Sequence, residues 1–153
     1  MRTRRLAGEA LTRFEVARVE TVTFEVETGR REVVRDITDE CARVGGEAGG
    51  DGLLHVFVPH ATAGIAILET GSGSDTDLLS ALDELLPADD RWRHAHGSRG
   101  HGRSHVLPAW LPPYATVPIV GGRLTLGTWQ SICVVDLNVD NDTRRLRLSI
   151  IPA

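Results

Sequence analysis

The stretch Arg145-Leu-Arg-Leu-Ser-Ile-Ile151 alternates Arg145, Arg147 and Ser149 with Leu146, Leu148 and Ile150. A period of two sends successive side chains to opposite faces, so these residues read as a half-buried strand. Working back along the chain, Ser131–Leu137, Arg123–Leu126 and Thr116–Val120 also read as strands, with a Gly121-Gly122 turn between the last two. Leu53–Val58, ending at Pro59-His60, and Ala63–Leu68 are further runs of strand length. From Arg13 to Glu27 the even positions Phe14, Val16, Val22, Phe24 and Val26 are apolar, interrupted by Arg18 and Glu20. That pattern is two strands or one bulged strand, followed by a turn at Gly29-Arg-Arg31. Helices interrupt the series twice. Thr38 is an N-cap for a short helix through about Val44, stopped by Gly45-Gly46. After Gly71–Asp75, Leu78, Leu79, Leu82, Leu85 and Leu86 fall on one helical face, with Ser74 and Asp77 placed as a capping-box pair and Pro87 as the stop. The expected fold is therefore α+β: a mainly antiparallel β-sheet or sandwich with two to three helices. Residues 1–12 read as an N-terminal arm and 13–153 as a single domain.

Composition narrows the chemistry. The chain has 153 residues, 41% hydrophobic and 25% charged, which suits one globular core. No apolar run approaches the ~18 residues of a membrane span. The basic start Met1-Arg-Thr-Arg-Arg5 lacks a signal peptide's apolar stretch, so a cytoplasmic location is expected. A formal charge of −4 argues against nucleic acid as a main partner. The two cysteines, Cys41 and Cys133, lie far apart and form no CxxC pattern, so neither a disulfide framework nor a thiolate zinc site is indicated. All 17 basic residues are arginine. Without lysine there is no Schiff base, no P-loop lysine and no lysine general base.

Residues 88–105 are almost devoid of apolar side chains and hold His94, His96, His101 and His105, with Arg91, Arg93, Arg99 and Arg103. Imidazoles bind cations and move protons near neutral pH, and guanidinium forks suit phosphate oxygens. Gly97, Gly100 and Gly102 make the segment a loop, expected to be exposed, and its spacing matches no compact zinc motif. A solvated surface loop and a phosphate clasp both fit this composition. His55 sits inside a strand and reads as structural. The helix start at Gly71–Asp75 could attract an anion, but Asp75 and Asp77 already complement its dipole.

Several segments, in order, resemble the YjbQ family, whose members are assigned as secondary thiamine-phosphate synthases. Gly122-Arg-Leu-Thr-Leu-Gly-Thr-Trp-Gln130 is similar to that family's Gly-Arg and Gly-Thr-Trp-Gln signature. His60-Ala-Thr-Ala-Gly64 resembles its His-Thr-Ser/Thr-Ala-Ser segment, Glu69 its Asn-Glu-Asn glutamate, and Asp36–Glu40 its Ile/Val-Thr-Asp-Glu helix start. Trp92-Arg-His94 resembles its Tyr-x-His, Ser104-His105-Val106 its Ser/Ala-His-Ile, and Thr116-Val-Pro118 the strand before the signature. The likeness runs from about residue 20 to 151. The chain departs at Leu68 and Thr70, where the family has asparagines, and at Ala95, where it has an aspartate. It departs again at Gly100-His101, in place of an acidic or amide pair, and at Ser72-Gly73, where an aspartate usually begins an Asp-Pro stretch.

The resemblance implies a transferase that condenses a pyrimidine pyrophosphate with a thiazole phosphate, or a catalytically silent metal- or ligand-binding protein of the same fold. Either would be a homotrimer. A small-molecule phosphate ester is the implied partner and a divalent ion, magnesium or zinc, the implied cofactor, since the leaving pyrophosphate needs its charge met. Residue by residue, the resemblance assigns Glu69 and His105 to catalysis, Thr62, Arg123 and Gln130 to substrate binding, and His60, His94 and His105 to the metal. Those groups would share one cleft, and His101 would add a fourth imidazole that shifts selectivity toward zinc or nickel. Gln130 suits either a pyrimidine edge or the adjacent turn, and Arg123 either a neighbouring acid or a phosphate. Trp129 is expected in the core.

Overall fold

The alternating C-terminal stretch forms β8 (Thr143–Pro152), which pairs antiparallel on both sides, with β1 (Glu20–Glu27) and with β3 (Gly52–Phe57). Leu146 and Leu148 are buried while Arg145 and Arg147 stay exposed. The computed structural model describes residues 18–153; the expected arm at 1–12 and the apolar positions Phe14 and Val16 lie outside the described residues. Beyond β3 the sheet continues through β5 (Tyr114–Val120) to β6 (Arg123–Leu124), joined by the Gly121-Gly122 turn. Both of those glycines have positive φ, which is the reason for the pair. A second sheet sets β7 (Ser131–Asp136) between β2 (Val33–Asp36) and β4 (Ala63–Leu68), again antiparallel. The class is α+β, as the sequence pattern implies.

The smaller sheet is buried on both faces, which is why β7 is nearly continuous in apolar residues. On one side Ile65, Ile132 and Val134 meet Leu54, Val56, Val117, Ile119, Leu146 and Leu148 of the larger sheet. Ile37, Cys41 and Val44 at helix α1 (Thr38–Glu47) join that core. On the other side Val135 and Leu137 pack with Leu82 and Leu86 at α2 (Ser74–Leu85) and with Leu107 in a 3-10 turn, Leu107–Ala109. Burial pushes both cysteine thiols up to about 12, so neither is a thiolate at neutral pH.

Several local expectations need correction. Helix α1 runs through Gly45-Gly46 to Glu47. A Cβ on Gly45 would stand 3.1 Å from the Leu124 side chain, so this glycine serves close packing on β6. The carboxylate before α1 does the capping: Asp36 accepts the Thr38 N–H at 2.8 Å and the Thr38 hydroxyl at 2.5 Å. At α2 no capping box forms; Gly73, at φ 101°, precedes the helix, and Asp77 donates its N–H to the Gly73 carbonyl. Leu85 is 47% exposed, so the apolar face of α2 is narrower than the leucine count implies. Strand β2 carries no periodic signal over its four residues and exists through its pairing with β7.

Candidate metal centre

The histidine-rich segment begins in a turn and bend at Arg91 and Arg93, turns again at Gly97 and Gly100, and ends in a short helix, α3 (His101–Ser104). Each glycine permits a close approach. A Cβ on Gly102 would collide with Trp92 Cβ and lie 2.5 Å from the His94 carbonyl oxygen, so only glycine lets α3 lie against the Trp92–His94 stretch. That contact brings His94 beside His105, with ring centroids 4.0 Å apart. His96 stands 4.2 Å from His94 and 4.7 Å from His101, and one nitrogen from each of the four rings lies within 4.8 Å of the others. His94 and His96 are exposed and His101 and His105 half-buried, so the group opens to solvent on one side.

Arg103 anchors the segment from below. Only 2% exposed, it donates to Asp83 at 2.6 Å, to the Leu86 carbonyl at 2.8 Å, and to Glu32. The expectation of an exposed loop with four arginines available to phosphate is therefore corrected: Gly102, Arg103 and Ser104 are buried, and Arg103 is spent on holding α3 to α2 and to the chain before β2. Arg91 is likewise engaged, with Asp89 at 2.6 Å. Arg93 and Arg99 remain exposed, Arg99 in a loose pair with Asp90 at 3.7 Å.

The acid that orients the group comes from elsewhere. Asp140, in the loop between β7 and β8, places Oδ2 2.6 Å from His101 Nδ1 and accepts the Ser98 N–H and hydroxyl, both at 3.2 Å. This leaves His101 Nε2 pointing inward, 3.0 Å from His105 Nε2. Two nitrogens on one tetrahedral zinc, each about 2.0 Å from it, sit about 3.3 Å apart, so the spacing suits a shared ion. The carboxylate–imidazole pair is the arrangement that orients metal-binding histidines. Partial desolvation and then the neighbouring rings lower the His94 and His105 pKa values, which favours the neutral form a metal requires. The Ser98 N–H, with the His101 ring and the Ser98 hydroxyl, holds the Asp140 carboxyl below the usual carboxylate range. The donor set thus fits a divalent transition-metal ion. The sequence motifs point to His94 and His105, with His101 as an addition, whereas His96 and Asp140 join the group only in the fold. The acid-rich run Asp136-Leu-Asn-Val-Asp140 was the available signal.

The other site residues disperse. His60 is not one of the four; its Nε2 accepts the Arg145 N–H at 3.0 Å, and burial followed by Arg144 lowers its pKa. Beneath it lies the fully buried pair Asp136–Arg144. Thr62 is buried at the start of β4. Glu69 follows the far end of β4, so the strand alone puts about 17 Å between the two and they share no cleft within one chain. Leu68 pairs with Ser131, which brings Glu69 and Gln130 to that same far edge. Gln130 Oε1 accepts the Gly127 N–H at 2.8 Å and so ties down its own turn. Arg123 is exposed on β6 and pairs with no acid among the described residues. Trp129, expected in the core, is 73% exposed, because the short Gly127–Gln130 turn lifts it off the sheet. His55 bonds Thr116 Oγ1 on the neighbouring strand at 2.9 Å and lies over Phe57, as a structural histidine would.

No helix among the described residues is long and apolar enough to cross a membrane. A family model described as UPF0047 protein YjbQ-like matches residues 22–153. A UPF0047 protein of Mycobacterium tuberculosis is 57% identical over 133 residues, spanning 87% of this chain and 98% of the relative. A UPF0047 protein of Methanothermobacter thermautotrophicus is 34% identical over 133 residues, 86% of this chain and 92% of the relative. Among solved structures, a YbjQ-like protein of unknown function from Sulfolobus solfataricus superposes with TM-score 0.82 at 27% identity, covering 89% of this chain and 99% of that one. A hypothetical protein from Aeropyrum pernix does so with TM-score 0.78 at 33% identity, covering 88% and 99%. The matched span takes in all six histidines and every strand except the first two residues of β1, and the chain belongs to the YjbQ-like UPF0047 family.

Proposed function

We propose that the protein is a metal-dependent transferase of phosphate and pyrophosphate esters, with thiamine-phosphate synthase-like condensation as its reaction. His94, His96, His101 and His105 hold the divalent ion. One observation carries this reading: four imidazole nitrogens within 4.8 Å of one another, beside a cavity of about 280 Å³ lined by His94, His96 and His101. An all-imidazole set selects zinc or nickel over magnesium. When bound, the ion would supply Lewis acidity for the charge of a leaving pyrophosphate. Arg93 and Arg99, exposed on the same segment, add positive charge for phosphate oxygens. Glu69, Gln130 and Arg123 serve the centre only from a neighbouring copy, as the homotrimer implied by the family resemblance would allow. Exposed Trp110, Tyr114 and Trp129 support such an assembly. Light scattering at micromolar concentration should then give three times the chain mass, and a monomer would remove this part.

A second reading, a catalytically silent metal-binding homotrimer, is favoured by the number of ligands. Four imidazoles complete a tetrahedral shell, whereas catalytic zinc keeps a position open. Two measurements separate the readings. Calorimetry with zinc should give one ion per chain under both. Pyrophosphate release from the pyrimidine pyrophosphate, in the presence of thiazole phosphate and magnesium or zinc, should occur only under the first.

A further inference from the structure

Asp140 stands at the end of a built support. Asp136 and Arg144 form an ion pair at 0% and 1% exposure, between β7 and β8. Asp136 Oδ1 accepts the Asn138 N–H at 2.9 Å, and Asn138 Oδ1 accepts the Asp140 N–H at 2.7 Å. Two successive side-chain-to-backbone turns thus carry the chain from the buried pair to Asp140. Space around the contact is also prepared. A Cβ on Gly97, which has φ 77°, would stand 2.6 Å from Asp140 Oδ2 and 2.8 Å from His101 Nδ1.

We infer that Asp140 is a positioning residue for His101, accepting its Nδ1–H and turning its Nε2 toward His94, His96 and His105. A neutral imidazole carries one proton, so a carboxylate fixed at Nδ1 leaves the Nε2 lone pair free. Without that partner the ring can rotate and exchange tautomers, and the inward nitrogen is no longer held as a donor to a metal. The metal arm of the test rests on the function proposed above; the tautomer arm does not.

The experiment compares wild type, Asp140→Ala, Asp140→Asn and Ser98→Ala, all with folding checked by circular dichroism. Nitrogen-15 spectra of the metal-free protein read the His101 tautomer, and zinc calorimetry reads affinity. Wild type should show the Nδ1–H form. Asp140→Ala should lose it and bind zinc 10–100-fold more weakly. Asp140→Asn retains an acceptor oxygen and should keep the tautomer, with affinity between the two. Ser98→Ala, which leaves the ring contact in place, should bind zinc within threefold of wild type. The inference is overturned if Asp140→Ala keeps the Nδ1–H form, or loses it with zinc affinity within twofold of wild type. It is equally overturned if Ser98→Ala weakens binding as much as Asp140→Ala. A wild type that takes up no zinc removes the metal reading, and the tautomer result then decides Asp140 alone.

Discussion

The two ends of the three-stranded sheet are both rich in polar side chains, yet they differ in what those side chains leave unspent. At the end where Ala63 pairs with Asp136, the loop after β7 brings Asp140 to four histidines whose inward nitrogens face one another. At the end where Leu68 pairs with Ser131, Asp36 accepts the Thr38 N–H and hydroxyl and the Thr70 hydroxyl, and Gln130 is closed on Gly127. Burial there pushes the Asp36 carboxyl up, but these hydrogen bonds outweigh it and hold its pKa below the ordinary value. One end spends its polar groups on the fold; the other gathers four imidazole nitrogens within 4.8 Å of one another. The lesson is that polar density does not make a site, whereas several imidazole nitrogens brought within reach of one point do.

The sharpest way to break this contrast is to remove its anchor. Arg103→Ala should cost about 3 kcal/mol in urea denaturation, since three hydrogen bonds of a buried side chain and the space it fills are lost together. Glu32 and Asp83 are partly exposed and can return to water, which keeps the loss below that of stranding a buried charge. An unchanged urea midpoint would show that α3 is held by other contacts.

Next in size is the loss of a ligand. His105→Ala should weaken zinc binding at least about 100-fold, which corresponds to about 2.7 kcal/mol. His60→Ala and His55→Ala should stay within threefold. Equal affinity in wild type and His105→Ala would dissolve the centre as drawn, and a loss in His60→Ala would move it.

Gly97→Ala tests the prepared space. Its positive φ and the close Asp140 and His101 atoms predict a destabilisation of about 1–2 kcal/mol together with weaker zinc binding. If stability falls while zinc affinity holds, the glycine supports the turn alone.

The pH dependence is smaller and has a defined sign. Partial desolvation and neighbouring rings hold the His94 and His105 values below 6.5 in the folded chain. As pH falls through about 6.5, the unfolded chain takes up protons that the folded cluster refuses, so stability of the metal-free protein declines toward acid. Zinc affinity declines in the same window, because each ligand must be neutral. His60 contributes in the same direction, so the measurement is the difference between wild type and His94→Gln/His105→Gln. The double variant should show the flatter urea midpoint between pH 7.5 and 5.5, and equal slopes would contradict the shifts.

The smallest effect belongs to the far end. Gln130→Ala should cost about 0.5–1 kcal/mol through the lost turn bond and leave zinc binding unchanged. A change in zinc affinity there would give Gln130 a place at the metal itself, beyond the substrate role proposed for it.

By itself the sequence determined the elements whose signal is local. The Arg–Leu alternation of β8, the runs that became β3 to β5 and β7, and the leucines of α2 are written in periods that nearest-neighbour geometry reads directly. The motifs around Trp92–His94 and Ser104–Val106 likewise mark His94 and His105 as members of one group. What only the tertiary structure decided depends on pairings between distant segments. Strand β2 has no period of its own, Gly45-Gly46 continues a helix because Leu124 lies across it, and Trp129 is outside because its turn lifts it there. His60 and Glu69, nine positions apart, are separated by an extended strand, whereas His101 and Asp140, thirty-nine apart, touch because β7 runs back toward α3. Chain-local rules carry no term for such long-range registry, and so the histidines could be named from sequence while the carboxylate that orients them could not.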